Sequence, residues 1–169
     1  MDCIIRELKR KEYPLLDDLL YEAIFIPEGT APPPRDIILR PELQVYVEDF
    51  GSRRGDLALA AEVNGRIAGG VWTRIMNDYG HIDDETPSFA ISLFREYRSR
   101  GIGTELMREM LRRLSGEGFR QASLAVQKDN YAVRMYRRVG FETVGENDEE
   151  YIMLCRLDKN GRRKNVIGM

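Results

Sequence analysis

Arg98-Ser99-Arg100-Gly101-Ile102-Gly103-Thr104 gathers the residue types that bind an anion. Two glycines let the backbone approach a ligand without Cβ interference and open conformations closed to other residues. Leu106, Met107, Met110, Leu111 and Leu114 follow at the spacing of one helix face. The first turn of such a helix offers unpaired N–H groups at the positive end of its dipole, where an anion fits. Arg98 and Arg100 add guanidinium forks suited to phosphate oxygens. The chemistry implied is phosphate binding by backbone and arginine together. The pattern is not a P-loop, because no Gly-Lys-Ser/Thr ends it, and it lacks the third glycine of a dinucleotide fingerprint. A glycine turn between solvated arginines reads the same way, so the elements around it must decide.

Ser88-Phe89-Ala90-Ile91-Ser92-Leu93-Phe94 precedes the turn, bounded by Pro87 and by Arg95-Glu96-Tyr97, and its β-branched and aromatic content reads as a strand. Upstream, residues 57–63 and 67–75 flank Asn64-Gly65, a strong hairpin signal, so the three strands form an antiparallel meander. Residues 3–8 read as a first strand. A helix from about Tyr13 carries Pro14 in its first turn and buries Leu15, Leu16, Leu19, Leu20 and Ala23. The prolines of residues 26–34 hold an extended loop, and a second helix is expected over residues 41–50. Beyond the long helix, residues 122–126 form a strand. Asn130 is placed to cap a helix that runs to Val139 and closes at Gly140. Residues 141–144 and 151–157 make a last strand pair around the acidic turn 146–150. The expected fold is α/β, one domain with a mixed, mostly antiparallel sheet and helices on both faces.

Bulk properties bound the function. The chain has 169 residues, enough for one domain with a sizeable core, expected over residues 1–158 with a basic tail over 159–169. Lys and Arg number 26 against 28 Asp and Glu, so the basic excess of a nucleic-acid partner is absent. Cys3 and Cys155 make no disulfide framework. No run approaches the roughly 18 apolar residues of a membrane span, and the N-terminus lacks a signal-peptide pattern, which leaves a cytoplasmic setting and no membrane partner as the expectation.

Three motifs in order carry a resemblance: Arg98-x-x-Gly101-x-Gly103 after a strand, Gln127-Lys128-Asp129-Asn130 ending the next strand, and Met135-Tyr136-Arg137-Arg138-Val139-Gly140-Phe141. Together they resemble the GNAT family of acetyl-CoA-dependent N-acyltransferases, and the likeness extends over the element order of the whole chain. It implies acetyl transfer from acetyl-CoA, a co-substrate, to a primary amine on a small molecule, an amino acid, a peptide or a protein terminus, with no metal. Ile91, Ser92 and Leu93 would lend backbone groups to the pantetheine arm as an added strand would. Arg98, Ser99, Arg100, Gly101, Ile102, Gly103 and Thr104 would wrap the pyrophosphate, and Asn130 would reach the pantetheine through its amide. Tyr136 would donate to the leaving thiolate, although Ala132, Tyr136 and Val139 share a helical face on which a tyrosine could simply pack. Many relatives place a glutamate base on a central strand; here Ser88 and Ala125 stand in those neighbourhoods. A water chain to His81, Asp84 or Glu85 is one route, and the base is left unassigned.

The acceptor would be shaped by the loop at residues 27–34 and the final hairpin, with Asp83, Asp84, Glu85, Glu146, Asp148, Glu149 and Glu150 as attractants for a cationic amine and Tyr79 as a lining residue. Trp72 is better read as core. An aminoglycoside acceptor fits the same charges, and a non-catalytic acyl-CoA sensor is the alternative to an enzyme. The resemblance also implies a homodimer through the C-terminal strands.

Overall fold

The chain opens with Cys3–Glu7 (β1) and a short 3-10 turn, then Leu15–Ala23 (α1), whose Leu16, Leu19 and Leu20 are buried. In the computed structural model, residues 2–157 are described; the basic tail expected at residues 159–169 lies outside them. Pro27 to Pro34 is a largely exposed loop that turns at Glu28-Gly29, where the Thr30 amide donates to the Pro27 carbonyl at 3.0 Å, and is tied back by the Tyr21 hydroxyl, which donates to the Pro33 carbonyl at 2.6 Å. A 3-10 turn at Arg35–Leu39 follows it.

The second helix, Pro41–Gln44 (α2), is much shorter than the ten residues expected. The cause lies in competing donors. Arg74 donates to the Val45 and Glu48 carbonyls and the Trp72 indole donates to the Tyr46 carbonyl at 3.2 Å. Those acceptors are taken by side chains, and Asp49 enters the left-handed region at φ 49°. Chain from 45 to 50 is therefore a run of turns.

Leu57–Val63 (β2) and Arg66–Arg74 (β3) pair antiparallel around Asn64 and Gly65, whose φ values of 49° and 81° match a primed two-residue turn. Ser88–Leu93 (β4) completes the meander against β3. Ile102–Gly116 (α3) then crosses back over the sheet, burying Leu106, Met107, Met110, Leu111 and Leu114. At about 1.5–3 kcal/mol for each fully buried large apolar side chain, this face is a major source of stability. Gln121–Gln127 (β5), Val133–Val139 (α4), Glu142–Glu146 (β6) and Glu150–Arg156 (β7) finish the chain.

All seven strands lie in one sheet, ordered β1-β2-β3-β4-β5-β7-β6. Every neighbouring pair is antiparallel except β4 and β5. One core packs α3 and α4 residues against Leu59, Val71, Phe89 and Met153; the other packs α1 against Ala58, Ala60 and Trp72. The sheet is thus covered by helices on both faces. Trp72 is core, 1% exposed.

Asp56 and Arg74 form a wholly buried ion pair that sequence patterning does not mark. Arg74 Nε and a terminal guanidinium nitrogen bind the two Asp56 oxygens at 3.0 and 2.9 Å, and both side chains are 0% exposed. The same carboxylate accepts the Gly51 and Arg53 amides, and the guanidinium sits 5.3 Å from the Phe50 ring centre. This knot fastens the turns after α2 to the end of β3.

Candidate active site

Only one residue pair, Ser88 with Ser123, is in register between β4 and β5. Beyond it the two parallel strands separate, while β4 stays paired to β3 through Ile91↔Val71, Ser92↔Gly70 and Leu93↔Gly69. The other edge of β4 is therefore open along the 91–93 segment, at Ile91 and Leu93, with the Leu93 carbonyl taken by Arg98. Ser92 itself is anchored by its hydroxyl, which donates to the Leu19 carbonyl of α1 at 2.6 Å.

The open edge leads to the glycine turn. Ser99 and Gly101 take φ values of 63° and 83°, left-handed positions two residues apart, in the kind of turn whose successive N–H groups line an anion concavity. Ile102, Gly103 and Thr104 form the first turn of α3, and none of their N–H groups has an acceptor among the described residues. A Cβ built on Gly101 meets nothing within 4 Å, so the space beside this backbone is open to a ligand. Gly103 differs. Its Cβ would stand 3.2 Å from the Met135 sulfur, so this glycine serves the approach of α3 to α4 as well as the turn. The two arginines also differ. Arg98 binds the Leu93 carbonyl at 2.9 Å and the Glu22 carboxylate at 3.1 Å, which ties the end of β4 to α1. Arg100 is exposed at the lip of the turn.

Across the split, Asn130 precedes α4. It is not the cap residue itself, which is Ala132; its side-chain oxygen accepts the Ala132 amide at 2.8 Å, so the capping contact falls in the turn before the helix. Its side-chain NH2 is left to donate elsewhere. Tyr136 is 8% exposed, with its ring edge-on to Phe141 at 6.2 Å. No described residue hydrogen-bonds its hydroxyl, yet no buried side-chain oxygen or nitrogen among the described residues lacks a partner, so the hydroxyl opens onto accessible space. Burial pushes its pKa up to about 12, which keeps the phenol protonated across the neutral range.

At the vertex of the split lies a group absent from the sequence-based candidates. Asp78, in the β3–β4 loop, accepts the Ser88 hydroxyl at 3.3 Å and the Tyr46 hydroxyl at 3.1 Å. Ser88 in turn meets the Ser123 hydroxyl at 3.2 Å, and Ser123 donates to the Gly80 carbonyl at 2.8 Å, so the loop is pinned over the strand junction. Burial holds the Asp78 carboxyl above its ordinary pKa. Of the loop residues expected to reach the amine through a water chain, His81 is half-buried with Nδ1 2.9 Å from the Met76 carbonyl, while Asp84 and Glu85 are exposed. Asp83 closes its own turn, accepting the Glu85 amide and the Thr86 hydroxyl, which lowers its pKa. Glu150, at the start of β7, is half-buried, and its pKa is raised by burial and by the charges of Glu149 and Asp78. Among the described residues, no group of three or more His, Cys, Asp or Glu is arranged to hold a metal ion. Nor is any helix there long and apolar enough to cross a membrane.

The family model described as Acetyltransferase (GNAT) family matches residues 18–141, from α1 through α4. The chain belongs to the GNAT acetyltransferase family. A curated acetyltransferase of Pectobacterium atrosepticum is 36% identical over 111 residues, covering 63% of this chain and 74% of the relative. Among solved structures, a GNAT acetyltransferase from Streptococcus pneumoniae superposes with a TM-score of 0.69 at 24% identity, covering 92% of this chain and 99% of the other. The PaiA N-acetyltransferase of Thermoplasma acidophilum, crystallised with coenzyme A, gives a TM-score of 0.67 at 19% identity, covering 91% and 98%. This GNAT chain is thus an acyltransferase with the sheet and helices of its structural neighbours.

Proposed function

We propose that this GNAT protein moves an acetyl group from acetyl-CoA to a primary amine on a small molecule or peptide, by direct attack of the amine on the thioester. One observation carries the reading: the anion turn at residues 98–104 is continuous with the open β4 edge, which ends at the Ser88–Ser123 junction. A pyrophosphate seated on the turn would send its pantetheine along Ile91, Ser92 and Leu93, hydrogen-bonding as an added strand. The coenzyme A bound to the Thermoplasma neighbour supports that reading. The thioester would then lie between Tyr136 and the vertex, with the Asn130 amide beside the arm.

Tyr136 acts as a hydrogen-bond donor to the departing thiolate. A phenol pushed up to about 12 is a weaker acid than a thiol near about 8.5, so full proton transfer to sulfur is uphill while a hydrogen bond is not. Tyr136→Phe is expected to lower kcat about 100-fold, with KM for acetyl-CoA changed less than about twofold and thermal stability held, because the hydroxyl has no protein partner to lose. Steady-state kinetics and a melting curve check this; an unchanged kcat would make Tyr136 a packing residue. The wider test is thiol release from acetyl-CoA across a panel of primary amines. Release with none of them, by protein that binds acetyl-CoA, would overturn the enzyme reading for these acceptors.

A further inference from the structure

The reaction needs the acceptor's ammonium to lose a proton before attack, because an alkylamine with a pKa near about 10.4 is almost wholly protonated at neutral pH. We infer that Asp78 is the proton acceptor, held at the vertex of the β4–β5 split by Tyr46 and Ser88. This rests on the acetyl-transfer reading and adds the residue that makes the amine a nucleophile.

Position carries the inference. Ser88 sits where β4 and β5 last pair, and the Asp78 carboxylate is 3.3 Å from its hydroxyl. The carboxylate missing from the central strands is thus supplied by the loop folded over them, whose Gly80 packs so tightly on β5 that an added Cβ would stand 3.1 Å from the Ala125 nitrogen. The partners of Asp78 point the same way. Its side-chain hydrogen-bond donors are neutral hydroxyls, its own backbone amide adds a third bond, and no Lys or Arg among the described residues pairs with it. A half-buried carboxylate without a cationic partner suits an incoming ammonium.

The charged and titratable groups around it are His81 on its own loop, Tyr46 from the turns after α2 and Glu150 on β7. Burial raises the carboxyl, while the Tyr46 and Ser88 hydrogen bonds and the His81 charge pull it down. In the step itself, one ammonium proton passes to Asp78. The freed nitrogen lone pair makes the C–N bond as the C–S bond breaks, and the electron pair leaves on the thiolate. The nitrogen's second surplus proton balances the one the thiolate takes up, and Asp78 returns its own to solvent. Tyr46 and Ser88 are positioning residues in this scheme.

The experiment is the pH dependence of kcat for native protein, Asp78→Asn and Tyr46→Phe with one amine that the screen shows to be acetylated, alongside calorimetric titration of acetyl-CoA. Native kcat should rise with pH through the raised Asp78 pKa and level off. Asp78→Asn should bind acetyl-CoA with unchanged affinity, lose about 100-fold or more in kcat at pH 7, and recover as pH nears the amine's own pKa of about 10, where solution deprotonates it. Tyr46→Phe removes a hydrogen bond that favours the carboxylate, so its acid limb should move to higher pH. Should Asp78→Asn fail to fold, the Tyr46→Phe limb decides alone. Native-like pH profiles in the folded variants would overturn the assignment and leave acetyl transfer standing, whereas native protein that neither binds acetyl-CoA nor turns it over would defeat the acetyl-transfer reading itself.

Discussion

Acetyl-CoA should bind Gly101→Val roughly tenfold to a hundredfold more weakly than it binds native protein. The Gly101 backbone stands at φ 83°, and a Cβ there would meet no protein atom within 4 Å. The added side chain would therefore project into the space assigned to the pyrophosphate, displacing at least one charge-assisted hydrogen bond worth about 1.5–3 kcal/mol. A β-branched residue also strains the left-handed backbone, which would lower stability by about 1–2 kcal/mol. Gly101→Asn separates the two effects, since asparagine tolerates this conformation while still obstructing the site. Both variants should lose affinity by calorimetry, and only the valine should lose appreciable stability. Gly103→Val should behave differently. Its side chain would press on Met135, so the damage would appear first as a loosened contact between α3 and α4 and a lower melting temperature. Native affinity in Gly101→Asn would remove the turn from the binding site.

Asp56→Ala should be the most damaging single change to the fold, at about 3–5 kcal/mol. Breaking one side of a buried pair leaves the Arg74 guanidinium, 0% exposed, with a charge and no counter-charge. The Gly51 and Arg53 amides lose their acceptor in the same step. The damage should spread to the turns after α2, because Arg74 also binds the carbonyls of Val45 and Glu48. Those turns carry Tyr46, so acceptor turnover should suffer before acetyl-CoA binding does. Urea denaturation of native and variant protein measures the first effect. A loss below about 1 kcal/mol would mean that water reaches the guanidinium once the carboxylate is gone.

Features that depend on local backbone were legible in the sequence. Asn64-Gly65 forces a hairpin because both positions need positive φ, and Gly140, at φ 116°, ends α4 for the same reason. The turn at residues 98–104 was visible because glycine and arginine spacing acts within a few residues. Long-range geometry was not. The reach of α2 is not legible locally because Trp72 and Arg74, 26 to 29 residues away, claim the carbonyls a longer helix would use. Asp78 was hidden among the polar residues of its loop, for its partners Tyr46 and Ser88 lie 32 and 10 residues away and come together only once the sheet forms. The acidic residues at 83–85 form a run of charge in the sequence, and they are exposed. Charge density marks solvated turns as readily as sites; a single half-buried carboxylate leaves no such mark.

The central claim is that acetyl-CoA lies along the free edge of β4 with its pyrophosphate on the turn that follows. Amide hydrogen exchange resolved to single residues, with and without acetyl-CoA, tests it most directly. Slowed exchange is predicted in the 91–93 segment and again at residues 101–104, with β1 and the Asn64-Gly65 turn unchanged. Binding that leaves both segments exchanging as before would place the ligand elsewhere and contradict the account.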